Sequence, residues 1–488
     1  MAARSKWFST LFLTDLWERF GFYGLLAILV LYAAAPVSEG GLGLPRAEAA
    51  ALLGVYLAVT FMLSMAGGWA GDRLFGPRLA TLWGGITVTL GYTLMALPTT
   101  VTTFPGLLGV SIGTALIKPN MTTMLNLHYG TDRAGREAGI SMFYVGIQVS
   151  ALISPLVVGF LGERVDWHLG FAAAACAMAF GVLQYWAGSR HFAPGIGRVV
   201  RPATPRQRRV AATAAVLGLV LVVSAGIALT AQHAIVLVGL ISLIVPFTAF
   251  TFVRRAQAET DRRRITVFLW LLLGASVFWM IAGQDGSLLN LFALHSTERD
   301  LFGFAVPASW LQSATPLFIL AIAPIFALRW RRYGERLGVP AKFAAGLLLV
   351  GASFLVMAGA AALAADGAKV SPLWLLTVYF MHACAELIIA AVGISAAAEV
   401  APPAYQAQII GLWWLFCALG AGLASQAVRL TTVLPDQVYY LALGTLALAF
   451  AFAFIATRHR ITRGLTPAPD PQGHEATQAV RQLSHPGA

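Results

Sequence analysis

Residues 11–24 read LFLTDLWERFGFYG, an apolar run that three charged side chains interrupt. Each of these charges would cost roughly 2.5–3.5 kcal/mol at the centre of a membrane-spanning helix, so a chain that keeps all three must pair or use them. Five side chains follow the spacing i, i+3, i+4, i+7 and i+8, and they are Asp15, Glu18, Arg19, Phe22 and Tyr23. This spacing places them on one helical face, which we predict to line a polar pathway.

The composition indicates an integral membrane protein. Of the 488 residues, 58% are hydrophobic and 11% are charged, whereas a soluble domain carries about 25% charged residues. Apolar blocks of about 20 residues can each cross the hydrocarbon layer as a helix. About fourteen spans are predicted, at 7–33, 47–70, 79–98, 104–125, 139–162, 169–188, 210–230, 233–253, 265–293, 307–328, 341–364, 372–396, 407–428 and 438–457. The charges in the first span exclude a cleaved signal peptide.

Basic residues fall mostly in alternate connections, which predicts a multi-pass protein of the bacterial inner membrane with both termini in the cytoplasm. We predict an all-α protein of the major facilitator fold, with two six-helix bundles around a midplane cavity. The two spans at 210–230 and 233–253 contain no Asp, Glu, Lys or Arg, lie between the bundles and are expected to face lipid, outside the pathway. The predicted units are an amino-terminal bundle at 1–188, basic linkers with two accessory helices at 189–264, a carboxy-terminal bundle at 265–457 and a disordered cytoplasmic tail at 458–488.

The other features of composition do not suggest nucleic acid, metal or disulfide chemistry. The net charge of +12 comes from dispersed loop arginines without interleaved aromatic residues, so nucleic-acid binding is not predicted. Cys176, Cys384 and Cys417 lie in apolar spans, and the nine histidines show no spacing typical of a metal site. We expect no cofactor besides protons as the coupling ion, and a monomer.

The connection between the second and third spans reads GGWAGDRLFGPR at residues 67–78. It resembles the loop signature G-x-x-x-D-[RK]-x-x-G-[RK] of the major facilitator superfamily. The signature positions are Gly68, Asp72, Arg73 and Gly76. The glycines permit a tight turn and close helix contact, and the charged pair can meet charges at the ends of neighbouring helices.

Two further charges lie deep in predicted spans. Lys118, in the span at 104–125, needs an acidic partner or an anionic substrate, and Glu386 lies inside the span at 372–396. Cations at Arg19 and Lys118 in one half and a carboxylate at Glu386 in the other suit a zwitterion such as a small peptide. A substrate carboxylate that takes a cation from a buried acid would leave that acid to bind a proton. We therefore assign Glu18 as the main proton carrier, assisted by Asp15, with Arg19 and Lys118 as carboxylate clamps.

Several stretches resemble signatures of the proton-dependent oligopeptide transporters. DLWERFGFYG at 15–24 resembles their E-x-x-E-R-F-x-Y-Y-G signature. GTALIKPN at 113–120, REAGISMFYVGIQ at 136–148 and AELIIAAVGIS at 385–395 resemble their motifs of the fourth, fifth and tenth spans. The resemblance runs from residue 11 to about residue 425. It implies proton-coupled symport of di- and tripeptides by alternating access, with Glu386 as the anchor of the substrate amino terminus.

The chain departs from this family mainly at uncharged positions. The altered positions are Asp15, Phe22, Phe61, Gln148 and Thr315, where the family has a glutamate, two tyrosines and two asparagines. The acid that the family has in the seventh of its twelve core spans aligns with Gly283, two residues before Asp285. The changes keep open a carrier of a non-peptide zwitterion or anion, such as an amino-acid derivative or a drug-like solute. The candidate substrate-binding residues are Arg19, Phe22, Tyr23, Phe61, Lys118, Gln148, Thr315, Glu386 and Trp413.

Two other classes of membrane protein fit the sequence less well. An intramembrane enzyme is not predicted, because no G-x-G-D, H-E-x-x-H or nucleophile-elbow motif occurs in an intramembrane setting. A channel is disfavoured because the buried charges differ in sign between the halves and form no ring.

Overall fold

The structure is a computed structural model that describes residues 5–199, 202–228, 230–333, 338–402 and 405–465. Long α-helices dominate it, with one small β-hairpin. The elements are α1 (Lys6–Ala34), α2 (Arg46–Ala70), α3 (Pro77–Met95), α4 (Thr103–Tyr129), α5 (Arg133–Arg164), α6 (Trp167–Gly188), α7 (Pro205–Ala228), α8 (Ala231–Arg255), α9 (Glu259–Ala282), α10 (Leu288–Ser296), β1 (Asp300–Leu301), β2 (Phe304–Ala305), α11 (Ala314–Tyr333), α12 (Val339–Leu363), α13 (Leu373–Val400), α14 (Gln406–Ala427) and α15 (Asp436–Leu465).

The predicted class, an all-α membrane protein, is confirmed. Within the described chain, twelve helical segments are long and apolar enough to cross a membrane. The helices α3 and α7 fall outside that set, but they coincide with two further predicted spans.

Two predicted boundaries are wrong. The single span predicted at 265–293 is broken, because α9 ends at Ala282 and α10 begins only at Leu288. The intervening residues 283–287 include two glycines, which stabilise a helix poorly, and polar side chains that bond elsewhere. The predicted tail is also too long, since α15 continues to Leu465, and residues 466–488 lie outside the described part.

Close contacts between small residues hold each bundle together. A Cβ atom added to Gly113 of α4 would lie 2.5 Å from the carbonyl oxygen of Gly84 on α3. In the second bundle, a Cβ atom on Gly444 of α15 would lie 2.8 Å from the carbonyl oxygen of Gly351 on α12. In a membrane the hydrophobic effect does not drive helices together, because lipid is as apolar as the helix surfaces. Van der Waals contacts between closely packed backbones stabilise the bundles instead.

The accessory helices differ from each other. Much of α7 is exposed, as expected for a helix that faces lipid. The helix α8 instead packs on both halves: Gln232 donates to Glu48 of α2 at 3.1 Å, and a Cβ atom on Gly422 of α14 would meet the Ser242 hydroxyl at 1.9 Å. The expectation that both helices only face lipid is therefore wrong for α8.

Ion pairs and hydrogen bonds between the halves cluster at one end of the molecule, where α1 and α5 finish and α2 and α15 begin. We call it the closed end. Asn290 of α10 donates to the Ala27 carbonyl oxygen of α1 at 2.8 Å. Arg46 and Asp436 form an ion pair at 2.7 Å across the halves.

The carboxylate of Glu163 is a further link at the closed end. It lies in the last turn of α5 and accepts the backbone N–H groups of Ala308 and Ser309 at 2.8 Å, as well as the Ser309 hydroxyl. These donors belong to the 3-10 turn Ala308–Ser313, which leads into α11. One side chain of the first half thus caps a helix start of the second.

We predict that Gly113→Ala lowers the melting temperature of the purified protein, because the new methyl group would force α3 and α4 apart. Overpacking of this kind costs about 1–3 kcal/mol. The matched control is Gly218→Ala on α7, where an added Cβ meets nothing within 4 Å. Equal melting temperatures for the two variants would contradict the packing argument.

We predict that Glu163→Gln loosens the closed end, because an amide presents an N–H group where the carboxylate accepts three hydrogen bonds. Spin labels at Val37 and Val433, which are exposed on opposite halves, would report the separation by electron paramagnetic resonance. The variant should gain a population at longer distance. Asp366→Asn, at an exposed carboxylate of the same end, is the control. Superimposable distance distributions for Glu163→Gln and the unaltered protein would refute the prediction.

Candidate functional site

The charges predicted from the first span form a buried network between α1 and α4. Asp15, Glu18 and Arg19 are only 3%, 1% and 7% exposed. Arg19 binds Glu18 through two hydrogen bonds, Nε to Oε2 at 2.6 Å and Nη2 to Oε1 at 2.5 Å. The Thr114 hydroxyl donates to Glu18 Oε1 at 3.1 Å, and Lys118 Nζ donates to Asp15 Oδ1 at 2.9 Å. Two acids and two cations therefore neutralise one another inside the bundle.

The two ion pairs differ in how accessible they are. The side chain of Lys118 is 29% exposed, whereas those of Arg19 and Glu18 are 8% and 1% exposed. An anion that approaches the exposed part of Lys118 can therefore reach this cation without first displacing the inner pair.

Aromatic rings extend the site from α1 toward the second half. The Arg19 guanidinium lies 4.2 Å from the ring centroid of Phe22, which packs edge-on against Tyr23 at 5.4 Å. Phe61 of α2 stacks on Trp414 of α14, with the ring centroids 5.9 Å apart. This stack connects the two bundles, because α2 belongs to the first and α14 to the second.

Glu386 lies on α13, in the second bundle. It is partly buried, and its carboxylate makes no ion pair or hydrogen bond within the described residues. Tyr23 and Tyr144 of the first half lie within electrostatic range of it. Gln148, one turn beyond Tyr144 on α5, is 5% exposed. The unpaired carboxylate can therefore receive a cation.

Trp413 is buried inside the second bundle. Its ring is 1% exposed and packs edge-on against Phe343 at 6.5 Å. A Cβ atom on Gly393 of α13 would lie 1.8 Å from the same ring, so the indole fills the gap that this glycine leaves. The prediction that Trp413 contacts the substrate gains no support here, whereas its neighbour Trp414 does face the first half.

A second polar cluster, which the sequence analysis did not predict, surrounds the break between α9 and α10. His382 of α13 contacts Asp285 through Nδ1 at 2.7 Å and Ser353 of α12 through Nε2 at 2.8 Å. Thr315 donates to the other carboxylate oxygen of Asp285 at 3.4 Å. The signal that could have found it is a histidine inside an apolar span, one turn before Glu386.

The loop signature packs as its glycines predict. Residues Gly71–Phe75 form one π-turn, which ends at Gly76 with φ +76°. Asn120 of α4 donates to the Gly67 carbonyl oxygen at 3.1 Å, and its amide oxygen lies where a Cβ atom of Gly71 would be. The helix α4, which carries Lys118, is thereby held against the end of α2.

The predicted role of the charged pair in the signature is not seen. Neither Asp72 nor Arg73 makes a side-chain ion pair with another helix in the described segments. Instead, Asp72 and Arg73 interact electrostatically with each other.

Known proteins share both the sequence and the fold. A model of the POT family matches residues 79–442. A di-/tripeptide transporter of Lactococcus lactis subsp. cremoris is 35% identical over 441 residues, which cover 86% of this chain and 87% of that protein. The chain is also similar to the crystal structure of a peptide transporter POT in complex with sulfate, with a TM-score of 0.90, 35% identity and coverage of 95% and 96% of the two chains.

A second solved structure is a POT family transporter in complex with 5-aminolevulinic acid. It has a TM-score of 0.87 and 28% identity, and the match covers 93% of this chain and 96% of that one. The resemblance inferred from the motifs is confirmed, and this chain belongs to the POT family, the proton-dependent oligopeptide transporters.

Proposed function

We propose that the protein is a proton-coupled symporter that imports di- and tripeptides by alternating access. The observation that carries this proposal is the placement of charges around the cavity. A paired cation, Lys118, is accessible on one side, and an unpaired carboxylate, Glu386, lies on the other. The related di-/tripeptide transporter supports the same substrate class.

A peptide zwitterion would complete both sets of charges. Its carboxylate would bind Lys118 and then Arg19, and its ammonium group would bind Glu386. Hydrogen bonds between ionised groups are shorter and stronger than those between neutral groups, so both ends contribute to recognition. Tyr23 and Gln148 lie on the first-half wall, where they can contact the peptide bond.

Competition for the cations would couple the substrate to protons. A substrate carboxylate that takes Lys118 leaves Asp15 without its partner, and one that reaches Arg19 does the same to Glu18. A buried carboxylate without a cation binds a proton readily, because burial penalises the charged form. Glu18 is the main carrier in this scheme, because it is the more deeply buried of the two acids, and Asp15 assists it.

The sidedness of the scheme follows from the positive-inside rule. The arginine-rich connections lie at the end opposite the closed end. This arginine-rich end would face the cytoplasm, together with both chain termini. The closed end would then face the exterior of the bacterial inner membrane, and the molecule would be in its inward-facing state. All residues of the proposed scheme belong to one chain, so a monomer would be sufficient for transport.

A second candidate substrate is a non-peptide zwitterion. The neutral positions around the charges differ from the family pattern, and Phe61 is engaged with Trp414 rather than offering a hydroxyl. The structure of a relative with 5-aminolevulinic acid, which has an amine and a carboxylate but no peptide bond, supports this alternative.

We predict that Glu18→Gln abolishes proton-driven accumulation of peptide in proteoliposomes but leaves exchange of internal for external peptide. Exchange does not need release of the proton, whereas accumulation does. Glu39→Gln, in an exposed loop, is the control. An equal loss of both activities would assign Glu18 a purely structural role.

We predict that Glu386→Gln weakens binding of a free-amine dipeptide by roughly 10- to 100-fold, since a hydrogen bond to a charged group contributes about 1.5–3 kcal/mol. Binding of the N-acetylated dipeptide should change little, and Glu399→Gln, exposed on the same helix, should change neither. The measurement is calorimetry with dipeptides, acetylated dipeptides and 5-aminolevulinic acid. Tight binding of acetylated peptides to the unaltered protein would refute the clamp, and a preference for 5-aminolevulinic acid would favour the second candidate.

A further inference from the structure

A recess lies between α3 and α6, at the end of the molecule opposite the closed end. Its volume is about 410 Å³, and its walls come from both helices and from the segment 189–199 that follows α6. Deeper in the bundle the two helices touch, since a Cβ atom on Gly85 of α3 would lie 2.7 Å from the Val182 side chain of α6. The segment 189–199 packs on the start of α3, where a Cβ atom on Gly76 would lie 2.1 Å from the Gly197 carbonyl oxygen. Packing among these three parts of the chain therefore fixes the shape of the recess.

The charged group of the recess is the guanidinium of Arg78. Its Nη2 donates to the Ser189 hydroxyl at 3.0 Å, and the Arg78 carbonyl oxygen accepts a hydrogen bond from the Tyr185 hydroxyl at 2.9 Å. Ser189 and Tyr185 are 6% and 2% exposed, so two buried side chains position the arginine. In the described segments the guanidinium makes no ion pair and no other hydrogen bond. Its remaining N–H groups can therefore bind an anion, in the planar fork geometry that suits phosphate.

The parts of the chain that form the recess carry basic side chains and no acidic ones. Neither α3 nor α6 contains Asp or Glu, and the segment 189–199 contains none either. This segment adds Arg190 and Arg198, which are exposed and adjacent to residues of the recess wall. The nearest acid along the chain from Arg78 is Asp72, which interacts with the arginine next to it. The recess therefore carries a net positive charge, which favours an anionic ligand.

An apolar surface continues from the recess along both helices. Leu79 and Trp186 belong to the recess wall and are 46% and 66% exposed. One turn deeper, Trp83 of α3 and Leu183 of α6 are 55% and 65% exposed. Large apolar side chains on the outside of a membrane protein contact acyl chains, and tryptophan is enriched at the level of the headgroups. The recess thus joins a cation to a lipid-facing surface, and a phospholipid can contact both, whereas a soluble phosphate can contact only the cation.

We propose that this recess binds the headgroup of an anionic phospholipid, with the phosphate on Arg78 and the acyl chains against Leu79 and Trp186. The volume lies in the range of small-ligand sites, so the recess takes a headgroup while the chains stay in the bilayer. Basic pockets between transmembrane helices bind anionic headgroups in this way. The bound lipid ties the segment 189–199 to α3. The site is separate from the buried network of α1 and α4, so it does not depend on the proposed transport function.

Native mass spectrometry of the purified full chain in detergent measures the affinity for added phosphatidylglycerol. Arg78→Gln should lower this affinity roughly 10-fold or more, because a neutral amide cannot replace the charge-assisted hydrogen bonds to phosphate. The matched control is Arg133→Gln, which removes an exposed arginine at the start of α5, at the same end of the molecule, and should leave the affinity unchanged. Phosphatidylcholine, whose headgroup has no net charge, should bind weakly and equally to all three proteins. Equal affinities of the two variants for phosphatidylglycerol would overturn the proposal.

Leu79→Glu tests the same site with Arg78 intact. It places a carboxylate next to the guanidinium, at an exposed position in the first turn of α3 where an acidic side chain is favourable for the helix. The affinity for phosphatidylglycerol should fall while the melting temperature without lipid stays the same, so this result does not depend on the folding of Arg78→Gln. Glycerol 3-phosphate and inorganic phosphate should fail to displace the lipid, because they have no acyl chains. An unchanged affinity in Leu79→Glu, or displacement by either phosphate at a concentration equal to that of the lipid, would overturn the proposal.

Discussion

The cost of an unpaired charge in a nonpolar interior governs this molecule. Two ion pairs offset that cost, one between Asp15 and Lys118 and one between Glu18 and Arg19. Breaking a buried pair by removing one partner typically costs about 3–5 kcal/mol, so any substrate that takes a cation must be accompanied by neutralisation of the acid left behind. In the proposed scheme, the link between substrate and proton follows from this electrostatic cost.

The two halves meet this constraint differently. The first half holds its charges as acid–base pairs between α1 and α4, while the second leaves Glu386 unpaired and pairs Asp285 with a histidine. In the proposed scheme, the first arrangement would bind an anionic group and the second a cationic one. A zwitterion would then bridge the halves, whereas a simple anion would satisfy only one of them. At the closed end, Glu163 of the first half caps the 3-10 turn that leads into α11 of the second half.

Much of the site could be predicted because charges in apolar helices are conspicuous. The i, i+3, i+4 spacing placed Asp15, Glu18 and Arg19 on one face, and the structure shows them buried together. The pairing was less predictable, since Lys118 lies 103 positions from Asp15 along the chain and joins it only through the packing of α4 on α1. The choice of Trp413 over Trp414 illustrates the same limit, because adjacent residues on a helix point in different directions.

By itself, the sequence determined the class of protein, the helices and the identity of the buried charges, because hydrophobicity and helical period are local properties. The tertiary structure decided which acidic side chain pairs with which basic one. It also broke the predicted span at residues 283–287, packed α8 against both halves, and brought His382 of α13 to Asp285 and Ser353. These outcomes depend on contacts between residues far apart in the chain. A hydrogen bond forms only where packing brings its donor and acceptor within about 3 Å.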